Sequence, residues 1–588
     1  MSRGRTFGPR LTPEGGTEFR LWAPAARSVD LLTRGRTLPM QAGADGWFTL
    51  VMPDTGPGTR YKFRIDGELE VPDPASSFQP DDVPGASEVI DHRYPWRAES
   101  WRGRPWHEAA ILELHVGTFT HGGTFRSAIE ELDAVVECGF TAIELMPIAD
   151  FAGRWNWGYD GVLWYAPDSV YGRPDDLMAL IDAAHERGLM VFLDVVYNHF
   201  GPEGNFLARY APTFFNADVH TPWGAAIDYT VPQVRAFAVE NALHWLADYR
   251  FDGLRFDAVH AITQRGTPSI LEEISRAVGE LARESGRHIH LVLENDDNEA
   301  ALLDPLADPP QGKFRAQWND DYHHAWHVLL TGEKHGYYRD YAQAWLGHIT
   351  RILSSGFAYQ GQASLHRDSR PRGESSEHLP PTAFVSFLQN HDQTGNRARG
   401  ERLEQLAPAP AIEAALAVML LAPMPPLMFM GEEWGEIRPF PFFCDFKGDL
   451  ANAVREGRRR EFPHETAEGT PGLPDPNSEL TFESAVLDRT VLGRPVHAKR
   501  RELVRRLLHC RREHVTPRLA SLDRWRAEAS HEGRLLHARW QLGGGTLGLA
   551  ANLSDEEVPA PPARGEPVWG GAQLDTMPAW AVYWTWED

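Results

Sequence analysis

The sequence contains little cysteine, with three residues in 588, at positions 138, 444 and 510. Their odd number and wide separation exclude a disulfide framework and the close spacing of cysteine zinc sites. We therefore expect buried, free thiols in a reducing compartment. The N-terminal segment MSRGRTFGPRLTPEGG also lacks the apolar region of a signal peptide, so a cytoplasmic location is expected.

Long apolar runs and excess positive charge are absent as well. The longest apolar stretch, 414–430, is interrupted by three prolines, which favours a buried helix, a turn and a strand over a membrane span. The 58 basic residues are outnumbered by 82 acidic ones, and the net charge is −24. Such a chain repels nucleic acid and anionic membranes and suits a neutral substrate. We expect neither nucleic acid nor a membrane as a partner.

A chain of 588 residues exceeds one ordinary domain. Residues 1–95 alternate apolar and polar positions between Gly- and Pro-rich turns, as in TEFRLWAPAA and RYKFRIDG, which predicts an N-terminal β-sandwich. Residues 96–107 are interpreted as a linker. Residues 518–588 return to strand-like sequence, including WAVYWTW, and predict a small C-terminal β domain.

The segment 108–517 interleaves short apolar runs with helical patterns. A strand-then-helix order repeated eight times predicts an α/β fold of the (β/α)8 or TIM-barrel type. At about 400 residues the barrel is large for its class, which indicates loop insertions, for example at 365–381 and 462–480. A basic amphipathic helix at 497–515 is predicted to close it. The eight predicted strands are 111–116, 141–148, 189–199, 253–259, 288–295, 314–320, 383–390 and 426–433.

Polar side chains cluster where four of these strands end, in DVVYNH (194–199), GLRFDAVH (253–260), LVLEND (291–296) and FLQNHD (387–392). A barrel gathers the carboxyl ends of its strands around one pocket. Three carboxylates, Asp257, Glu294 and Asp392, are therefore expected at the same site.

The residue types suggest separate roles for the three acids. Arg255 and Asp257 share one face of a strand, and a neighbouring guanidinium favours an ionised carboxylate, as a nucleophile requires; a structural ion pair explains that motif equally well. Glu294 ends an apolar run, where a raised pKa would suit a general acid, although an exposed loop glutamate is the simpler alternative. Asp392 could stabilise positive charge on a sugar ring.

Together, a nucleophilic carboxylate and a protonated carboxyl group are the requirements of a glycoside hydrolase. The sequence gives no distance between them, so these residues alone leave a retaining and an inverting mechanism open. Aromatic rings mixed with polar side chains in RWNWGYDG (154–161) and QWNDDYHHAWHV (317–328) are predicted to contact sugar.

The four segments resemble, in order, the conserved regions of the α-amylase superfamily of glycoside hydrolases. The resemblance implies a retaining mechanism with Asp257 as nucleophile, Glu294 as acid/base and Asp392 as transition-state stabiliser. The aspartate-rich calcium motif of many α-amylases is not found, so no metal and no cofactor is expected. The residues implied to bind the sugar at the cleavage point are Tyr159, Asp160, Asn198, His199, Arg255 and His391.

A finer resemblance, to the trehalohydrolases of that superfamily, rests on ELHVGTFT (113–120), QWNDDYHH (317–324) and GEEWGEIRPFPFF (431–443). It implies hydrolysis of the α-1,4 bond next to the terminal α,α-trehalose unit of maltooligosyl trehalose, and a functional pairing with a maltooligosyl trehalose synthase. The N-terminal sandwich resembles the carbohydrate-binding-like module of such enzymes. Further predicted substrate contacts are His260, Asn319, Asp320, Asp321, His323, Gln393 and Asn396.

Two alternatives remain at this point. One is a branching or debranching enzyme of the same superfamily, which differs from a trehalohydrolase in loops of the barrel. The other is a non-catalytic α-glucan-binding protein with an inactive barrel, which is disfavoured because all three carboxylates are present.

Overall fold

The computed structural model describes residues 5–221, 224–466, 472–520, 522, 525–562, 564–571 and 575–588. Eight parallel strands form the central sheet and follow one another around it in chain order. A bridge between Ser386 and Pro426 joins the last two strands and closes the ring. The predicted (β/α)8 barrel is confirmed. Its strands are β1 Ile111–Leu114, β2 Ala142–Leu145, β3 Met190–Val195, β4 Gly253–Phe256, β5 His290–Leu293, β6 Ala316–Trp318, β7 Phe384–Val385 and β8 Leu427–Phe429.

Helices lie between the strands and surround this sheet. The strands are buried at every position, as in β3 and β4, because helices cover the outside of a parallel barrel. Between β1 and β2 lie two short helices, Phe125–Ile129 and Leu132–Cys138. The main helices are α1 Pro174–Glu186, α2 Pro232–Ala247, α3 Ile270–Ser285, α4 Asp320–Thr331, α5 Trp345–Ser355, α6 Ala409–Leu421 and α7 Pro495–Cys510.

The N-terminal region consists of two antiparallel sheets, as the alternating pattern predicts. The first contains Thr17–Trp22 and Trp47–Met52, and the second contains Val29–Thr33 and Arg60–Ile65. Phe19 of one sheet lies 4.8 Å from Tyr61 of the other, measured between ring centroids, so the inner faces pack as a sandwich.

The C-terminal region is a five-stranded antiparallel sheet packed against the barrel. It contains Arg526–Glu532, Leu535–Leu542, Gly545–Asn552, Glu566–Trp569 and Val582–Glu587. Trp540 donates its indole N–H to Leu353 of α5 at 2.9 Å, and Trp584 donates to Ala417 of α6 at 3.1 Å. The sheet is thereby fixed to two barrel helices, while the exact domain limits stay predictions.

Of the predicted insertions, the first contains part of a hairpin that pairs Gln362–Ser364 with Arg370–Arg372. The second, 462–480, lies partly outside the described residues. All three cysteines are buried and free, as expected. In the described part of the chain, no helix combines the length and the hydropathy needed to cross a bilayer.

Candidate active site at the carboxyl ends of the barrel strands

Arg255 of β4 is the centre of the site and is fully buried. Its Nη1 donates to Asp194 Oδ2 at 2.6 Å and to Asp257 Oδ1 at 2.9 Å. Its Nη2 lies 2.9 Å from Glu294 Oε2, and its guanidinium carbon lies 4.2 Å from the centroid of the Trp318 ring. One cation therefore joins acidic groups at the ends of β3, β4 and β5.

Both oxygens of Asp257 are held by donors. Arg255 donates to Oδ1, and Asn198 Nδ2 donates to Oδ2 at 2.8 Å. Charge-assisted hydrogen bonds of this kind fix the orientation of a carboxylate. About one tenth of the side chain remains exposed. Asp257 is thus a fixed and accessible carboxyl group, which suits attack on an electrophilic carbon.

Glu294 lies on the other side of the same guanidinium in a different environment. Burial raises the pKa of Glu294, and the Asp257 charge raises it further, whereas Arg255 opposes the rise. Its Oε2 accepts the backbone N–H of Ala258 at 2.8 Å, and Ala258 has a left-handed φ of 40°, a strained conformation for a residue with a side chain. The turn after β4 thereby positions a carboxyl group suited to remain protonated and to act as an acid.

His391 and Asp392, after β7, complete the rim. The imidazole of His391 contacts Glu113 of β1 through Nδ1, and its Nε2 lies 2.7 Å from the Tyr159 hydroxyl and 3.6 Å from Asp392 Oδ1. Burial alone would lower the pKa of His391, but the Glu113 and Asp392 charges raise it to about 9. His391 is therefore an imidazolium at neutral pH that holds Asp392 and Tyr159 at the pocket.

An unbroken series of contacts brings the three predicted carboxylates into one site. Tyr159 donates its hydroxyl to Asp194 Oδ2 at 2.5 Å, and Asp194 accepts from Arg255. The carboxylates are thus not distributed over separate surfaces. From the nucleophile candidate to the third acid, the series runs through Asp257, Arg255, Asp194, Tyr159, His391 and Asp392.

Other predicted residues also lie around this pocket. His199 contacts Asn198 and has its Nε2 2.9 Å from the Tyr159 carbonyl oxygen, and burial lowers the pKa of His199 to about 4. Asn156 Nδ2 donates to Asp160 Oδ2 at 2.7 Å, and burial raises the pKa of Asp160. These residues form the side of the pocket contributed by the loops after β2 and β3.

The opposite side of the pocket is contributed by loops after β4, β5, β6 and β7. Burial raises the pKa of Asp320 well above its usual range, and the neighbouring Glu294 charge adds to the effect. Gln393 Nε2 lies 3.5 Å from Asp320 Oδ1, and Asn396 Nδ2 donates to Asp392 Oδ1 at 3.2 Å. His260 Nδ1 accepts the N–H of Asp296 at 3.4 Å.

Three predicted contacts, Asn319, Asp321 and His323, are almost fully buried and have partners within the protein. Asp321 accepts from the Tyr341 hydroxyl, from the backbone N–H of Ala358 and from an arginine. His323 bonds the Leu388 carbonyl and the Tyr338 hydroxyl, and Asn319 donates to Gly356. The structure therefore places them behind the pocket wall, and substrate binding by them stays a prediction.

Several residues of the site were not singled out from the sequence. Asp194 and Glu113 are acidic residues in apolar strands, the same signal that identified Glu294. Arg367 and Arg372 gave no such signal, because they belong to the insertion after α5. Both arginines contact the carboxylate of Asp296, and Arg372 also donates to Asp321 at 2.8 Å.

Comparison with known proteins agrees with this architecture. Residues 112–213 match the α-amylase catalytic-domain family, and residues 6–76 match carbohydrate-binding module 48, the isoamylase N-terminal domain. Residues 523–584 match a domain of unknown function, DUF3459. A pullulanase structure from Paenibacillus barengoltzii has a TM-score of 0.73, 20% identity, and coverage of 100% of this chain and 95% of the other. At that identity the likeness concerns the fold alone.

More similar proteins identify the family. A crystal structure of a predicted α-amylase from Salmonella typhimurium has a TM-score of 0.95 and 43% identity, with complete coverage of both chains. The malto-oligosyltrehalose trehalohydrolase of Deinococcus radiodurans is 41% identical over 94% of this chain and 90% of its own. That of Mycobacterium tuberculosis is 37% identical over 92% of this chain and 94% of its own. The chain belongs to the malto-oligosyltrehalose trehalohydrolase family, within the α-amylase group of glycosidases.

Proposed function

We propose that this enzyme hydrolyses the α-1,4-glucosidic bond next to the terminal α,α-trehalose unit of maltooligosyl trehalose, with retention of configuration. The products are trehalose and a shortened maltooligosaccharide. The main support is the environment of Arg255, which bonds Asp257 on one side and lies beside Glu294, a carboxyl group with a raised pKa, on the other. This reaction requires one carboxyl group as a nucleophile and a second as a proton donor.

In the first step, Asp257 Oδ attacks the anomeric carbon of the glucose that precedes trehalose. The bond from that carbon to the O4 of the trehalose unit breaks, and Glu294 gives its proton to this oxygen. Trehalose leaves, and the maltooligosyl chain is an ester of Asp257. Asp392 stabilises the positive charge that develops on the ring in the transition state, and the His391 imidazolium positions Asp392.

In the second step, the ionised Glu294 accepts a proton from water, and the resulting hydroxide attacks the same anomeric carbon. The ester bond to Asp257 breaks, and both carboxyl groups return to their initial protonation states. Two inversions at one carbon leave the released maltooligosaccharide in the α configuration.

A substrate pair of equal length tests the specificity. Maltotriosyl trehalose and maltopentaose each contain five glucose units, and they differ in the linkage of the terminal unit. We expect rapid release of trehalose and maltotriose from the first and much slower cleavage of the second. Equal rates on both substrates would contradict trehalose specificity. Greater activity on amylose or glycogen would instead support the branching or debranching alternative.

The stereochemistry is tested separately with the same substrate. Proton NMR during the first minutes should show maltotriose as the α-anomer before mutarotation. Early β-anomer would overturn the retaining mechanism while leaving the specificity intact.

The proposed substrate also implies a preceding reaction. An α,α-1,1 linkage at the end of a maltooligosaccharide must be made by an enzyme that rearranges the reducing terminal glucose. We therefore infer a functional pairing with a maltooligosyl trehalose synthase.

A further inference from the structure

A second cluster of potential ligands lies far from the carboxylates of the catalytic pocket. His92 follows the N-terminal sandwich, whereas His244 and Asp248 lie at the C-terminal end of α2. One ligand atom from each of the three residues lies within 4.8 Å of the other two. Since barrel helices run opposite to the strands, this end of α2 is at the N-terminal face of the barrel, away from the catalytic rim.

The two histidines use their Nε2 atoms for contacts with neighbouring oxygens. His244 Nε2 lies 2.9 Å from the carbonyl oxygen of Tyr165, and His92 Nε2 lies 3.1 Å from Ser77 Oγ. With Nε2 protonated toward these oxygens, each Nδ1 carries a lone pair. Metal-binding histidines are held in the same way, with the second ring nitrogen bonded to an oxygen.

The cluster as it stands needs a cation. His244 Nδ1 lies 2.8 Å from Asp248 Oδ2, and with Nε2 protonated toward Tyr165 the two atoms repel each other unless a proton or another positive charge lies between them. Arg5 contacts both atoms with Nη2. However, His92 Nδ1 is buried and has no hydrogen-bond partner among the described residues. The guanidinium therefore satisfies two of the three acceptors and leaves the third unpaired.

We propose that His92, His244 and Asp248 form a structural site for zinc, which competes with Arg5 for the position between them. Zinc takes imidazole nitrogen and carboxylate oxygen at about 2.0–2.2 Å, usually in tetrahedral geometry, so two of its ligand atoms lie about 3.4 Å apart. The three protein atoms need only small side-chain movements to reach that geometry. Water supplies the fourth ligand when Arg5 moves out.

The site would fix the segment that follows the N-terminal sandwich to the barrel. Thr6 and Phe7 donate their backbone N–H groups to Glu240 of α2 at 2.8 and 3.2 Å, so the chain after Arg5 is already attached to this helix. Zinc would add a link from α2 to His92, which lies beyond the sandwich. Its expected effect is on stability, and trehalose release should not require it.

The proposal is tested by measuring the zinc affinity of the full-length protein. The protein is first treated with a chelator, and the chelator is then removed. Competition with a chromophoric chelator should show one zinc ion bound to the wild type, and zinc should raise the Tm. His92→Ala and the nearly isosteric Asp248→Asn should each weaken binding at least tenfold. Arg5→Ala should strengthen it at least tenfold, because the competing cation is gone.

His288→Ala is a matched control. His288 Nδ1 lies 2.7 Å from Asp308 Oδ2 in an exposed His–Asp pair, and its removal should leave zinc binding unchanged. Tm values without zinc show that each variant is folded. Lack of a stoichiometric zinc ion in the wild type would overturn the proposal, even if Arg5→Ala binds one. Unchanged affinity in folded His92→Ala and Asp248→Asn, or weaker affinity in Arg5→Ala, would do the same.

Discussion

At the scale of single residues, the site places two similar carboxyl groups in different surroundings. Arg255 contacts both Asp257 and Glu294, so the presence of a cation does not distinguish them. The difference comes from the remaining contacts. Asp257 receives a second donor, Asn198 Nδ2, whereas burial dominates at Glu294 and raises its pKa. Replacement of the two carboxyl groups should therefore impair the reaction in different ways.

Glu294→Gln should lower the rate of trehalose release by about 10²–10⁴-fold, because the leaving oxygen is no longer protonated. The same variant should still react with α-maltosyl fluoride, because fluoride departs without a proton. We expect a burst of about one fluoride per enzyme and a mass increase of one maltosyl group, since the second step lacks its base. Asp257→Asn, an equally conservative change, should show no burst. A similar loss on both substrates in Glu294→Gln would remove it from the acid/base role.

His391 provides a pH prediction with a defined sign. Its pKa is about 9 in the folded protein and about 6.5 in an unfolded chain. The imidazolium therefore contributes stability in full below about pH 6.5 and loses it as the pH rises through 9, by about 3 kcal/mol in total. His391→Gln should show a smaller fall in Tm between about pH 6 and pH 9.5 than the wild type.

Glu113→Gln serves as a partner control for this prediction, because it removes the main source of the raised pKa of His391 without removing the ring. It should also reduce the dependence of Tm on pH. If both variants keep the wild-type slope, His391 does not titrate in this range.

At the scale of elements, the hairpin formed by Gln362–Ser364 and Arg370–Arg372 positions the loop after β5. Arg372 is almost fully buried, with 4% of its side chain exposed, and lies between Asp296 and Asp321. Arg367 contacts Asp296 and Asp297 but is 22% exposed. The two arginines therefore offer a buried and a more exposed member of one ionic cluster.

Arg372→Gln should destabilise the protein by about 3–5 kcal/mol, because it leaves a buried carboxylate of Asp321 without its cation. Arg367→Gln should cost about 1 kcal/mol or less, since exposed ion pairs are screened by water. Thermal unfolding of the two variants side by side measures the difference. Equal shifts in Tm would show that burial does not determine how much each arginine contributes to stability.

The elements also show which parts of the site were predictable. The ends of the barrel strands can be predicted from the sequence, because an apolar run followed by polar residues is a local pattern. That pattern placed Asp257, Glu294 and Asp392 at one site. The structural role of Asp321 could not be predicted from the sequence. Its hydrogen-bond partners Ala358 and Arg372 lie 37 and 51 positions further along the chain. A side chain next to a predicted active-site residue can face the pocket or the insertion behind it, and the local sequence is the same in both cases.

At the scale of the whole molecule, a single cluster of buried apolar residues extends from the N-terminal sandwich through the barrel to the C-terminal sheet. Phe7 packs edge-on against Phe237 of α2 with ring centroids 5.1 Å apart, and Trp22 lies 5.6 Å from Phe214. The backbone N–H of Ala25 donates to the Tyr210 carbonyl oxygen. The sandwich therefore covers apolar surface of the barrel, in addition to any contact that it makes with sugar.

Deletion of residues 1–95 should consequently destabilise the barrel, although every residue proposed to take part in the reaction lies after that segment. Phe214 and Phe237, which are 2% and 0% exposed, would face water, and uncovered apolar surface of this kind promotes aggregation. We expect a lower Tm, binding of a hydrophobic dye and loss of trehalose release on short substrates. The exchange Val51→Ala, at a position that is 56% exposed on the sandwich, is the control and should change Tm little. A truncated chain that remains monomeric, with the Tm and the short-substrate turnover of the full protein, would show that the sandwich is an independent module.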